Sequence, residues 1–243
     1  MDTTDKVDIL MIGHVSEDVY EYQGKSEYVL GGATVYGPAA ARALGANILV
    51  VTRAQNEDYA EITELRERGV EVQVLASSTS TSIRNVYLTE DRERRETSLL
   101  SRADPFELGE IPEVPARLIY LAALVAGEIP NELIPPLAGR GPLALDAQGV
   151  LRKGKNGALV LSDWEEKLTY LPYITYLKTD AAEAETLTGF EDRDRAAEAL
   201  LDMGAEEVMV THHTEVIVGR EGKIYRQPLT PKNLSGRTGR GDT

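Results

Sequence analysis

The 243-residue sequence has no cysteine, a single tryptophan, two phenylalanines and too few cations to match its anions. Without thiols, disulfide staples, zinc–thiolate centres and thiol catalysis are excluded. The 26 Lys and Arg stand against 40 Asp and Glu, so the formal net charge is −14, spread along the chain. That balance argues against nucleic acid or an anionic membrane as a partner. A small phosphorylated ligand stays open, because it needs only a few local N–H groups and a cation. Long apolar runs are also missing. The polar start Met1-Asp2-Thr3-Thr4-Asp5-Lys6 leads into an apolar run too short for a signal or membrane segment, so a cytoplasmic location is expected. What remains is enough for a core: 42% hydrophobic residues, over a length that suits one α/β domain, residues 1–243.

Short apolar runs at residues 7–12, 48–52, 70–75, 118–121, 143–146, 174–178 and 207–211 read as strands. Between them, residues 35–44, 59–68 and 193–203 read as helices, the first two closed by Gly45 and Gly69. Such alternation predicts a mostly parallel central sheet flanked by helices, with sites at the C-terminal ends of the strands. Residues 16–30, turning at Gln23-Gly24-Lys25-Ser26, and residues 80–100, turning at Glu90 to Arg95, read instead as hairpins outside that sheet. Together they predict a small β lid. A third hairpin, residues 215–227, turns at Arg220-Glu221-Gly222.

The residues able to do chemistry fall at the joins. Gly239-Arg240-Gly241-Asp242 makes a turn whose N–H groups can converge on an anion, with a carboxylate beside it to serve as a base. Gly31-Gly32 lets backbone approach a ligand where a lid strand meets an Ala-rich helix, or is simply a tight turn. Asp18 can accept from sugar hydroxyls or cap a loop. Asp180 and Glu183 fit an acidic helix start as well as a ligand site. His212 and His213, adjacent and without other ligands at the right spacing, are not a metal site.

Taken in order, Asp18, the Gly-Gly helix start, the detached lid, Asp180-x-x-Glu183 and the closing Gly-Arg-Gly-Asp resemble the ribokinase-like (PfkB) carbohydrate kinases. The resemblance runs from about Val7 to Thr243. Residues 31–45 look like the family's first signature and residues 238–242 like its second. It implies a ribokinase-like α/β fold and ATP-dependent transfer of the γ-phosphate to a hydroxyl of a small sugar or polyol. In that scheme Asp242 is the base, and the N–H groups of Gly239, Arg240 and Gly241 form the anion hole. Asp18, Gly31, Gly32 and Tyr36 meet the substrate, and Lys178, Asp180, Thr211 and His213 meet ATP. Glu183 holds Mg²⁺ through water. Asp146, Gln148 and Arg152 reach phosphate or substrate, or serve only their loop.

The chain departs from the family pattern at Asp180 (usually Asn), His213 (Gly), Arg240 (Ala) and Tyr36 (Asn). Tyr36, with Leu99-Leu100-Ser101-Arg102-Ala103, is most similar to the branch that includes myo-inositol kinases; a nucleoside stacked on Tyr36 is the alternative substrate. The family's C-terminal helices do not follow Thr243, which implies a chain truncated just after its base. A truncated or degenerate kinase that only binds ligand is the competing class. Exposed lid edges would permit a homodimer.

Overall fold

The computed structural model describes residues 6–89 and 94–229. Its strands are β1 (Val7–Ile12), β2 (Ser16–Tyr22), β3 (Lys25–Gly31), β4 (Ile48–Ala54), β5 (Glu71–Ala76), β6 (Ser82–Tyr87), β7 (Arg95–Ser101), β8 (Ala116–Leu121), β9 (Leu143–Asp146), β10 (Arg152–Lys155), β11 (Ala158–Leu161), β12 (Tyr176–Asp180), β13 (Glu207–Thr211), β14 (Glu215–Arg220) and β15 (Lys223–Pro228). The helices are α1 (Ala33–Ala43), α2 (Ala60–Glu67), α3 (Ile134–Ala138), α4 (Gln148–Leu151), α5 (Lys167–Tyr170), α6 (Ala181–Thr188) and α7 (Arg193–Asp202).

Among the described residues, nine strands form one sheet in the order β15-β14-β13-β12-β9-β8-β1-β4-β5. It is parallel from β13 to β5; β14 runs against it, and β15 turns back antiparallel to β14. The pattern explains why: every residue of β4 and β9 is buried, as expected of strands covered by helices on both faces. Leu10, Ile12, Leu121, Leu143, Val208 and Leu200 of α7 sit in one continuous core. Each such side chain contributes about 1.5–3 kcal/mol on burial. The predicted strands and helices are all present, with ends moved by a residue or two. Among the described residues no helix is long and apolar enough to cross a membrane.

The second sheet is the lid, six strands in the order β10-β11-β7-β6-β2-β3. It is larger than the sequence reading, which placed only residues 16–30 and 80–100 in it. The addition is the hairpin β10–β11, whose turn residues Asn156 and Gly157 have φ of 52° and 83°. Two left-handed residues in a row make the tight turn whose twist matches paired strands. Gln23 and Gly24, with φ of 48° and 75°, do the same between β2 and β3, so that turn takes two residues rather than four. The tip of the β6–β7 hairpin, residues 90–93, lies outside the described residues. Along β2 the buried residues are Ser16, Asp18 and Tyr20, and along β6 they are Ile83, Asn85 and Tyr87. This face turns toward the body, where Ile83 packs on Leu124 and Val125.

Two glycines should respond differently to the same change. A Cβ at Gly149 in α4 would come within 2.5 Å of the Ala123 Cβ, whereas one at Gly157 would meet no atom. In urea unfolding, Gly149→Ala should cost about 1–3 kcal/mol through overpacking, and Gly157→Ala about 1 kcal/mol through backbone strain alone.

Candidate active site

Asp18 lies within β2 on the inner face of the lid and is 8% exposed. Its Oδ1 finds no hydrogen-bond partner among the described residues. Burial pushes its carboxyl up to about 6, against the opposing pull of the Ser16 hydroxyl, the Ile83 amide and the charges of Arg95 and Arg152. A buried acceptor left without a donor is the arrangement expected where a ligand hydroxyl completes the site. Gly31 faces this carboxylate, and any Cβ there would stand 2.8 Å from Asp18 Oδ2. Gly32 caps α1 with φ of 102°, and a Cβ would stand 2.9 Å from the His14 carbonyl. Both glycines are therefore required by space, and Gly32 also by conformation. Tyr36, one turn into α1, donates its hydroxyl to the Leu30 carbonyl at 3.4 Å, which places it at the hinge of β3.

A second group gathers at the C-terminal ends of β9 and β12. Asp146 is buried and pairs with Lys178 Nζ at 2.8 Å, and its Oδ1 accepts the Gln148 N–H that starts α4. Asp180 caps α6, accepting from the Glu183 N–H at 2.8 Å, while Glu183 Oε2 accepts from the Asp180 N–H at 2.9 Å. This reciprocal cap is the helix-start reading of that pair. Yet Glu183 is only 2% exposed, and its other oxygen lies 4.0 Å from the Arg152 guanidinium. Burial, then the charges of Asp180 and Asp146, push its carboxyl up to about 7, with Arg152 opposing. Arg152, the first residue of β10, thus acts on both Asp18 and Glu183. Next door, at the end of β13, the Thr211 hydroxyl donates to the Thr179 carbonyl at 3.3 Å, and His213 lies against His212 with ring centroids 3.9 Å apart.

The structure therefore brings Asp146, Gln148, Arg152, Lys178, Asp180 and Glu183 together, with Asp18, Gly31, Gly32 and Tyr36 on the lid side. Gly239, Arg240, Gly241 and Asp242 lie outside the described residues. Among the described residues no three His, Asp or Glu side chains are grouped to hold a metal directly. The acidic cluster around Glu183 fits a hydrated cation, which takes few protein ligands. The sequence reading missed Asn85, buried on the lid's inner face, whose Oδ1 accepts from the Thr97 hydroxyl at 3.0 Å. Alternation of Ile83, Asn85 and Tyr87 was the available signal. It also missed His14 and Glu128, both wholly buried, for which the sequence carried no signal. A surface groove lined by Glu198, Asp202, Arg220 and Glu221 sits at the opposite ends of the strands and has no part in this cluster.

A family model described as "pfkB family carbohydrate kinase" matches residues 1–243. The chain belongs to that family. As a PfkB protein it is a phosphotransferase with the ribokinase-like α/β fold expected above, and it uses a phosphate donor. It is 40% identical to a pyrophosphate-dependent kinase in the ribokinase family, solved with a pyrophosphate analog and myo-inositol (TM-score 0.88; 96% of this chain and 83% of that one covered). A sulfate complex of a pyrophosphate-dependent kinase in the family is also 40% identical (TM-score 0.89; 97% and 84% covered). The Arabidopsis thaliana ribokinase complexed with ribose and ATP is 17% identical (TM-score 0.71; 98% and 83% covered) and shares the fold. No curated protein matches.

Both raised carboxyls have measurable consequences. A ligand hydroxyl donates best to ionised Asp18, so the affinity of a ligand held by this carboxylate should rise about tenfold from pH 5 to pH 7 as the group loses its proton. Asp18→Asn should weaken binding and abolish that pH dependence, as read by calorimetric titration. Because the folded-state pKa of Glu183 is raised, its contribution favours the fold at low pH and is lost as pH rises through about 7. Glu183→Gln, which can keep the cap, should therefore raise Tm at pH 8 while lowering phosphotransfer about tenfold or more.

Proposed function

We propose that this kinase moves a phosphoryl group from pyrophosphate to a hydroxyl of a cyclic polyol of the myo-inositol type. The observation that carries the reading is the buried Asp18 carboxylate, whose Oδ1 has no hydrogen-bond partner among the described residues, in a chain 40% identical to the enzyme solved with a pyrophosphate analog and myo-inositol. This replaces the ATP donor implied by the family resemblance. Pyrophosphate is compact and needs cations and N–H groups but no base pocket. Lys178 supplies charge beside Asp146 and Arg152 beside Glu183, and His213 puts an imidazole where the family pattern has glycine. ATP is the second reading, favoured by the fold shared with a ribokinase complexed with ATP.

In this reading Asp18 orients the acceptor, with Asn85 and Thr97 on the same lid face. Asp242 takes the proton of the attacking hydroxyl, whose oxygen then forms the new bond to phosphorus as the bond to the leaving phosphate breaks in line. The N–H groups of Gly239, Arg240 and Gly241 stabilise charge on the transferring group, and Arg152 and Lys178 hold the donor. Mg²⁺ bound through water near Glu183 would supply further charge neutralisation. The lid excludes water from the transfer.

Turnover of myo-inositol should be faster with pyrophosphate than with ATP, measured by product phosphate-ester formation in the presence of Mg²⁺. Asp242→Asn should lower kcat about 1,000-fold while donor binding persists. Faster turnover with ATP would overturn the donor assignment, and preference for a nucleoside would overturn the acceptor.

A further inference from the structure

Five lid strands leave or rejoin the body near one residue. His14 follows β1 and stands two residues before β2. Its Nδ1 lies 2.8 Å from the Thr81 Oγ1, one residue before β6, and its Nε2 lies 3.1 Å from the Asp104 carbonyl, three residues after β7. The Thr81 oxygen also accepts the Ala103 N–H at 3.1 Å. A carbonyl can only accept, so Nε2 carries a proton, while Nδ1 is satisfied by the Thr81 hydroxyl and lies 3.6 Å from Glu128 Oε2. The His14 carbonyl receives the Thr34 hydroxyl at 3.0 Å, beside Gly32, where β3 hands over to α1.

The backbone of His14 is held in turn. Its N–H donates to Glu128 Oε1 at 2.5 Å, and Glu128 Oε2 accepts the Leu124 N–H at 2.9 Å and the Val125 N–H at 3.4 Å. That turn carries the side chains on which Ile83 of the lid packs. It also fixes β10, because the Ala126 N–H donates to the Arg152 carbonyl at 2.8 Å. Arg102, just past β7, donates to the Ala126 carbonyl at 2.8 Å. Phe106 closes the cluster with its ring centroid 5.1 Å from the imidazole.

We propose that His14, locked by Thr81, Asp104 and Glu128, is a positioning residue that seats the lid so that Asp18 and Arg152 meet over the acceptor. The proposal rests on the acceptor reading above. Burial lowers the basicity of His14, with the Glu128 carboxylate opposing. The role is more than filling space: an apolar residue could occupy the volume, but only a side chain with a hydrogen-bonding nitrogen on each side ties two lid strands' ends to a third.

Thr81→Val keeps the shape and removes the hydroxyl, and His14→Gln keeps a donor for the Asp104 carbonyl. Because His14→Ala opens a buried cavity and can fail to fold, Thr81→Val is the decisive variant. In the full chain it should raise the myo-inositol KM about tenfold and leave the donor KM within about twofold. Lid peptides covering β2 and β6 should exchange amide hydrogens about tenfold faster, with β8 and β9 unchanged. His14→Gln should fall between the variant and wild type. Unchanged lid exchange, or lid and body exchange rising together, would overturn the proposal and leave a plain core histidine. Should the wild-type chain phosphorylate no polyol, the acceptor reading fails, and the exchange measurement alone decides the role of His14.

Discussion

The geometry of the site depends on how a six-stranded sheet is held against one end of a nine-stranded one. The lid has no continuous piece of chain of its own: β2–β3, β6–β7 and β10–β11 arrive from three separate stretches. Its seat is therefore set by the crossing points. Those crossings are buried, so each polar group there needs a partner or imposes a cost of about 1–3 kcal/mol. His14 and Glu128 satisfy that demand jointly, the imidazole for the lid strand ends and the carboxylate for three backbone N–H groups. A joint satisfied in one arrangement resists sliding, which loosely packed apolar contact would permit.

From that seat follows the electrostatics. A chain of net charge −14 meets a phosphorylated ligand by local means, since exposed charges beyond about 10 Å are largely screened. In the proposed reading the cations that meet it are Lys178 and Arg152, each facing a buried carboxylate. Burial keeps Asp18 above its ordinary range, and burial with the charges of Asp180 and Asp146 does the same for Glu183. Arg152 belongs to the lid while Glu183 belongs to the body, so the lid's position also decides how strongly these charges couple.

Much of this was legible in the sequence. The buried runs of β4 and β9, the glycine stops after α1 and α2, and the Asp180-x-x-Glu183 helix start announced themselves by composition and spacing. Asp18 and the glycine pair stood out only through the family resemblance, since alone each reads as a loop residue or a tight turn. The hairpin β10–β11 carried a plain signal in Asn156-Gly157, which went unread because the strands beside it are only four residues long and half polar. Glu128 and His14 had none: 114 residues separate them, and each looks like an ordinary polar residue in a loop.

The sequence by itself determined the alternation of strand and helix, the two-residue hairpin turns and the chemical types available to the site, because these follow from interactions between near neighbours along the chain. Only the tertiary structure decided that Arg152 would face Glu183, that Asp146 would find Lys178, and that one histidine would meet both Thr81 and Asp104. Those pairings close long loops, and they form only when burial of the whole core has supplied the free energy to bring distant segments together.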